Sequence, residues 1–475
     1  MEDHLSSTIA AISTGVGSAA GIGIVRISGE DAITIADRIY RGRQGEPLSG
    51  QKTYTIHYGQ IVDGDEVIDE VLVMLMKGPG SYTGEDTVEI NCHGGIYVTR
   101  RVLDTAVKYG ARLAEPGEFT KRAFLNGKMD LTQAEAVGDL ISAENEYARQ
   151  SSVSHLNGIL KKEIEDIRNK IIYETAYIES ALDDPEHISL EGYPDRLLPV
   201  VEELEGRIKK LLSTCEDGRL IKEGIRTVIL GRPNVGKSSL LNALTGEDRA
   251  IVTQIPGTTR DLLEEQVSLS GITLRVIDTA GIHPTEDTIE KIGVEKARTE
   301  AANADLLLYV IDASAPLTEN DEDIFRMPGE TPAVILLNKS DLETVVTEDE
   351  VREAYVASNP AKLNGENVEE PPIISVSAVN GDGLDKFEET VKSMFFAGNL
   401  SFNDEIYITN ARHKEALTDA LAALTKVEES IHSGLPEDFY SIDLMDAYEA
   451  LGKITGKTIG EDLTDEIFSK FCMGK

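Results

Sequence analysis

Tryptophan is absent from this 475-residue chain, cysteine occurs three times, and basic residues are few, with 46 Lys and Arg against 84 Asp and Glu. The three thiols, Cys92, Cys215 and Cys472, stand far apart with no C-x-x-C spacing. That argues against a disulfide framework or a zinc site, and reduced thiols suit the cytosol. Cys92 and Cys215 read as small core hydrophobes. No stretch reaches the roughly 18 apolar residues of a membrane span. The opening MEDHLSSTIAAIS carries acids where a secretory signal needs a positive segment, so a cytoplasmic chain is expected. A net charge of −38 speaks against coating nucleic acid by bulk electrostatics, because displacing phosphate counterions takes Lys and Arg. A local basic patch or a basic partner stays compatible with it.

Against these absences stands a clear pattern. Hydrophobic residues make up 41% and charged residues 27%, the balance of a soluble globular protein. At this length about two to four domains are expected. Residues 1–120 carry short β-branched runs (GIGIVRI, KTYTIHYG, EVLVMLM, DTVEINC) separated by Gly and Pro, which predicts an α+β domain. Residues 121–221 place apolar residues three and four apart, as in LTQAEAVGDLISA and VVEELEGRIKKLL, and 397–475 do the same. Both stretches predict amphipathic helices. Between them, residues 222–396 alternate strands (RTVILG, TLRVIDTAG, ADLLLYVID, AVILLNK, IISVSA) with helical patterns, which predicts a doubly wound parallel sheet. The expected fold is therefore multidomain, α/β plus α, with the 222–396 domain inserted into a helical one.

Chemistry concentrates in the inserted region. Gly231-Arg-Pro-Asn-Val-Gly-Lys237-Ser238 follows the strand TVIL and precedes the helix-forming SSLLNAL, the context of a phosphate loop. Glycines admit backbone N–H groups to phosphate, and the helix N-terminus favours negative charge. Asn234, Val235, Gly236, Lys237, Ser238 and Ser239 thus form the candidate phosphate-binding run, with Lys237 reaching the β- and γ-phosphates and Ser238 placed for Mg²⁺. Asp278-Thr-Ala-Gly281 ends a strand, where Asp278 can hold Mg²⁺ through water and Gly281 can meet the γ-phosphate. Thr258 and Thr259, in PGTTRD, sit where a switch threonine would close over the metal. Asn338-Lys339-Ser340-Asp341 ends the strand AVILL, and a carboxylate at Asp341 can accept from guanine N1–H and the 2-amino group, which adenine cannot offer. Ser377 and Ala378 can support the base through backbone N–H. From Lys237 to Asp278, Asn338 and Ser377 the successive separations are 41, 60 and 39 residues, room for the intervening layers of a Ras-like G domain. GTP binding is the expectation.

Hydrolysis needs a group that orients water, and small regulatory GTPases use a glutamine after the D-x-x-G glycine. Here that position is Ile282, which cannot serve. The following HPTEDTIEKIG offers Glu286, Asp287 and Glu290. A carboxylate on a closing loop can position water. Arg232, Arg260 and Arg275 are near in sequence, but none is evidently placed as an arginine finger.

Further segments, GIGIVRISG, GPGSYTGEDTVEINCHGG, PGEFTKRAFLNGKMDLTQAEAV, IPGTTRD, EKIGVEKA and the ending Cys472-Met-Gly-Lys475, extend the pattern over all three regions. Through them the whole chain resembles the family of the tRNA modification GTPase MnmE, also called TrmE. The resemblance implies a homodimer that works with an FAD-containing flavoprotein, MnmG, to attach aminomethyl or carboxymethylaminomethyl groups to C5 of the wobble uridine of tRNA. It implies an N-terminal folate-binding and dimerisation domain that supplies a one-carbon unit from 5-formyl- or methylene-tetrahydrofolate, with contacts from Arg26, Glu89, Lys128 and Lys475. It implies hydrolysis with K⁺ in place of an arginine finger, the ion held by Asn234, Thr253, Ile255 and Thr258, with Ser238 and Thr259 on Mg²⁺ and Glu290 catalytic. Cys472 matches a family cysteine that is a possible reactive thiol. The sequence departs from the family at Ile282-His283-Pro284, where a proline stiffens the loop. With so acidic a chain, tRNA would be held mainly by the partner and by local groups such as Lys121, Arg122 and Lys128. The alternative reading is a binding switch with no modification chemistry, which would lack folate binding.

Overall fold

The computed structural model describes residues 7–15, 19–43, 45–245, 264–269, 271–278, 299–326, 331–359, 370–396, 405–458, 461–471 and 474. The chain divides into two compact units, one of residues 1–141, 153–207 and 415–475, the other of residues 142–152 and 208–414.

In the first unit, seven strands form one sheet: β1 (Ile9–Ile12), β2 (Ile22–Ser28), β3 (Tyr40–Gly42), β4 (Thr55–Asp63), β5 (Glu66–Met76), β6 (Thr87–His93) and β7 (Arg112–Leu113). Their order is β3-β4-β5-β6-β2-β1-β7, antiparallel throughout except for β1 beside β7. Alternation along the strands sends Val25, Ile27, Val73, Leu75, Val88 and Ile90 into one core. The helices Ala32–Ile39 and Ile96–Lys108 close that core with Ile35, Ile39, Val102 and Ala106. Arg26 and Glu89 alternate with these core positions, and β2–β6 pairing sets them directly opposite each other. The runs GIGIVRI, KTYTIHYG, EVLVMLM and DTVEINC are β2, β4, β5 and β6. The short strands β1, β3 and β7 are additional to them.

Helices complete this unit. Ile159–Asp183 buries Leu160, Ile164, Ile167, Ile171 and Ile178 at three-, four- and seven-residue intervals, and it packs along Glu437–Thr455. The helix Glu118–Leu125 and the segment near Phe468 meet tightly. A side chain on Gly117, which has φ 68°, would stand 2.5 Å from the Phe468 carbonyl oxygen.

The second unit is built on a six-stranded sheet, β8 (Ile225–Leu230), β9 (Glu264–Leu269), β10 (Ile272–Asp278), β11 (Leu306–Asp312), β12 (Ala333–Asn338) and β13 (Ile373–Ser375), in the order β13-β12-β11-β8-β10-β9. Every pair is parallel except β9 with β10. Parallel strands covered on both faces read as continuous apolar runs, and β11 and β12 are buried at every position. Ile229, Leu308, Val310 and Leu336 belong to the core on one face, and Leu230, Tyr309, Ile311 and Leu337 to that on the other. The five strands expected here are β8, β10, β11, β12 and β13. The antiparallel edge strand β9 (EEQVSL) was not anticipated, because its mixed polarity gives no buried-strand signal.

This topology determines where a site can form. β8 is central, and the chain visits β9 and β10 on one side before returning to β11 on the other. The reversal opens a crevice at the carboxyl end of β8, the place where open α/β sheets bind ligands. Leu230, Asp278, Asp312, Asn338 and Ser375 all end strands at that edge. Among the described residues no helix is long and apolar enough to cross a membrane.

Candidate nucleotide site

The phosphate loop leaves the sheet at Gly231, where a Cβ would stand 2.5 Å from the Val310 carbonyl oxygen, so the turn needs glycine. Val235 packs into the core beneath the loop while Asn234, with φ 65°, stays exposed. Gly236 has φ 98°, and a Cβ there would collide with Asn338 Nδ2. The helix Lys237–Leu244 follows, anchored by Leu240, Leu241 and Leu244, with Ser238 and Ser239 in its first turn. The Lys237 ammonium donates to the carbonyls of Gly231 (2.5 Å) and Arg232 (3.0 Å). Arg232 Nε is 3.6 Å from the fully buried Asp321, which also accepts from Thr318 in a capping box.

One side chain joins the motifs. Asn338, 1% exposed, donates through Nδ2 to the Val235 carbonyl at 2.8 Å and accepts through Oδ1 from Ala378 N–H at 3.1 Å. The phosphate loop, the end of β12 and the Ser377–Ala378 turn are thereby held in one register. The buried Ser377 hydroxyl donates to Asp341 Oδ1 at 2.7 Å and accepts from Asn380 N–H at 3.1 Å. This fixes one oxygen of an otherwise exposed carboxylate. Ser340 N–H donates to the Val376 carbonyl at 3.1 Å, tying the same two loops through backbone.

Lys339 has φ 66°, a left-handed conformation uncommon for a residue with a side chain. Its ammonium is 2.6 Å from Asp312 Oδ2. Asp312 Oδ1 accepts from Ser314 N–H (3.0 Å) and Ser314 Oγ (2.6 Å). Burial pushes the Asp312 carboxyl up, but Lys339 and the two Ser314 donors more than offset it and hold the group below the ordinary range. Sequence reading missed Asp312, although a charged residue closing the apolar run LLLYVID was a visible signal. It also missed the Arg232–Asp321 contact, which pairs groups 89 residues apart.

Asn234, Val235, Gly236, Lys237, Ser238, Ser239, Asn338, Lys339, Asp341, Ser377 and Ala378 therefore converge on one edge of the sheet. The backbone of Asp278 ends β10 at the same edge. Thr253, Ile255, Thr258, Thr259, Gly281, Ile282, Glu286, Asp287 and Glu290 lie outside the described residues, as do Cys472 and Lys475.

In the first unit Arg26 and Glu89 are bonded to each other, with Arg26 Nε to Glu89 Oε1 at 2.8 Å and Nη2 to the same oxygen at 2.7 Å. The guanidinium carbon lies 5.5 Å from the Tyr82 ring centre and 5.4 Å from that of Phe119. Exposed Lys128 donates to the Pro79 carbonyl at 2.8 Å. Gly474 reaches β1, its carbonyl accepting from Ser13 Oγ at 3.1 Å. Arg122 corrects an expectation. It is 2% exposed and bonded to Glu85 (3.1 Å), Glu118 (2.9 Å) and the Ser7 carbonyl (2.8 Å), so it is no surface group for RNA. Cys92 and Cys215 are buried, and burial pushes both thiols up.

Known proteins resemble this chain over nearly its whole length. Residues 8–128 match the family profile "GTP-binding protein TrmE N-terminus" and residues 131–472 match "MnmE helical domain". The tRNA modification GTPase MnmE of Lachnoclostridium phytofermentans is 54% identical over 471 residues, covering 99% of this chain and all of that protein. Those of Clostridioides difficile and Geobacillus kaustophilus are 44% and 46% identical, covering 99% and 98% of this chain and 100% and 99% of theirs. A crystal structure of a point variant of Aquifex aeolicus Era bound to GDP.AlF4- is 27% identical with a TM-score of 0.27, over 42% of this chain and 66% of that one. With full-length identity of this order and family profiles over both regions, the chain belongs to the MnmE family of tRNA modification GTPases.

Proposed function

We propose that the chain is a K⁺-dependent GTP hydrolase that acts as a cytoplasmic homodimer. With an FAD-containing flavoprotein of the MnmG type it would place aminomethyl or carboxymethylaminomethyl groups on C5 of the wobble uridine of tRNA. The observation that carries the nucleotide reading is the Asn338 amide, bonded at once to the phosphate loop and to the Ser377–Ala378 turn. Holding the two loops in one register lowers the ordering cost of binding a nucleotide across them.

The residues present suit the groups the family implies. The Ser238 hydroxyl, with Thr259, would hold Mg²⁺. The exposed Asn234 carboxamide is a hard oxygen donor fit for K⁺, with Thr253, Ile255 and Thr258 completing the set. Bound cations would offset the charge that builds on the phosphate oxygens. Lys237 would bind the β- and γ-phosphates, Asp278 and Gly281 would serve the metal and the γ-phosphate, Asp341 would select guanine, and Glu290 would position the attacking water. In the first unit Arg26, Glu89, Lys128 and Lys475 would hold a 5-formyl- or methylene-tetrahydrofolate. The Arg26–Glu89 pair supports this, since it sets a cation and a hydrogen-bond acceptor side by side against two aromatic rings. The folate supplies a one-carbon unit.

Turnover of GTP measured in K⁺ and in Na⁺ tests the cation assignment, with a large excess expected in K⁺ and equal rates excluding the site. Glu290→Ala should abolish turnover with GDP affinity unchanged. A melting-temperature rise with 5-formyltetrahydrofolate, lost in Arg26→Ala, tests the first unit.

A further inference from the structure

We propose that Asp312 is a positioning residue for guanine-nucleotide recognition, acting by holding Lys339 in place beside Asp341. The inference rests on the reading that the edge between Gly231 and Ala378 takes a guanine nucleotide. It adds a residue outside the recognised motifs.

Three observations carry it. The first is placement, since Asp312 ends β11 directly opposite Asn338 in the β11–β12 register, one residue before Lys339. The second is saturation. Both Asp312 oxygens are committed, Oδ1 to the Ser314 N–H and hydroxyl and Oδ2 to the Lys339 ammonium, so the carboxylate is fixed from behind and presents one oxygen to one cation. The third is strain. Lys339 holds a left-handed backbone at φ 66°, and such conformations persist where the surroundings over-determine them. Two groups do so here, the Asn338 amide immediately before it and the Asp312 carboxylate on its side chain.

A free lysine carries much rotamer entropy, which a ligand must remove on binding. Tethering the ammonium removes it in advance, at a position flanked by the amide that joins the loops and by the carboxylate that selects the base. The side chain of Lys339 is still 31% exposed and that of Asp312 11%, so the pair faces the crevice edge and is not sealed in the core. A bland alternative is that the ion pair only braces the ends of β11 and β12. The two readings differ in what a double substitution does.

The test uses the full-length chain, fluorescent GDP and GTP binding, and steady-state turnover. Asp312→Asn is expected to weaken GDP and GTP alike by about ten-fold, the scale of a lost charge-assisted hydrogen bond. KM should rise by the same factor while kcat stays constant. In a Lys339→Met background, Asp312→Asn should add nothing, because its only route to the nucleotide is gone. Ser314→Ala keeps the charge and loosens only its orientation, so a smaller loss of the same kind is expected, and it serves if Asp312→Asn folds poorly. Unchanged affinity in both single variants would overturn the proposal. So would losses that multiply in the double variant, or a fall in kcat at constant KM. If the wild-type chain itself bound no GDP, the guanine reading of the site would fail and the proposal with it.

Discussion

Glu118 shows how a single residue decides a local structure. It lies on the helix Glu118–Leu125 with a side chain 6% exposed, and takes hydrogen bonds from Arg112, from Arg122 at 2.9 Å and from the Glu115 backbone N–H at 2.8 Å. Burial pushes its carboxyl up, yet these donors prevail and leave it below its ordinary value. A carboxylate lowered in this way contributes stability that is whole above the unfolded value, about 4.3, and that fades as pH falls through the folded one. Glu118→Gln should therefore destabilise the chain by about 3 kcal/mol near neutral pH, since it leaves buried Arg122 under-compensated. The gap to wild type should narrow progressively below about pH 4. Urea unfolding of both proteins at several pH values measures this, and a gap that stayed constant into acid would refute it. Beyond the four-residue spacing of Glu118 and Arg122, the network was not legible in the sequence, where Arg122 reads as a surface cation. Its partners Glu85 and Ser7 are distant in sequence, and only the fold brings them together.

At the scale of an element, β8, the phosphate loop and its helix form the most legible stretch of the chain. The spacing of Gly231, Gly236, Lys237 and Ser238 already stated the loop, because glycine admits the close approach to the Val310 carbonyl at Gly231 and reaches positive φ without strain at Gly236. Packing adds a second demand at Gly236. Its φ of 98° excludes a side chain on conformational grounds, and a Cβ would also strike Asn338 Nδ2. Gly236→Ala must displace the amide that joins the loops, so GDP affinity should fall by a hundred-fold or more, on the order of 3 kcal/mol once strain and lost hydrogen bonds combine. Titration with GDP decides it, and retention of wild-type affinity would show that the Asn338 bridge is dispensable. By contrast β9 was illegible, since a half-polar edge strand resembles a loop until β10 is there to pair with it.

For the whole molecule, two compact units with separate cores argue against a single all-or-none unfolding transition. The candidate nucleotide site lies in the unit of residues 142–152 and 208–414, so a ligand that binds there should stabilise that unit. Calorimetry is expected to resolve two transitions, with GDP at about one hundred times its Kd raising one of them by the equivalent of roughly 2.7 kcal/mol. A single transition shifting as a whole would show that the units unfold together.

Sequence alone determined the class of the second unit, the loop pattern from Gly231 to Ser238 and the family, because each rests on local spacing or on runs of matching residues. Periodicity likewise placed the long helices, since burial of one face writes itself into the chain. Tertiary structure alone decided that Arg26 and Glu89 pair, that Arg122 is sealed inside, that Asn338 ties three loops, and that Asp312 meets Lys339. These are contacts between residues far apart in sequence, and no local pattern records which cation meets which carboxylate until strand order and register set them side by side.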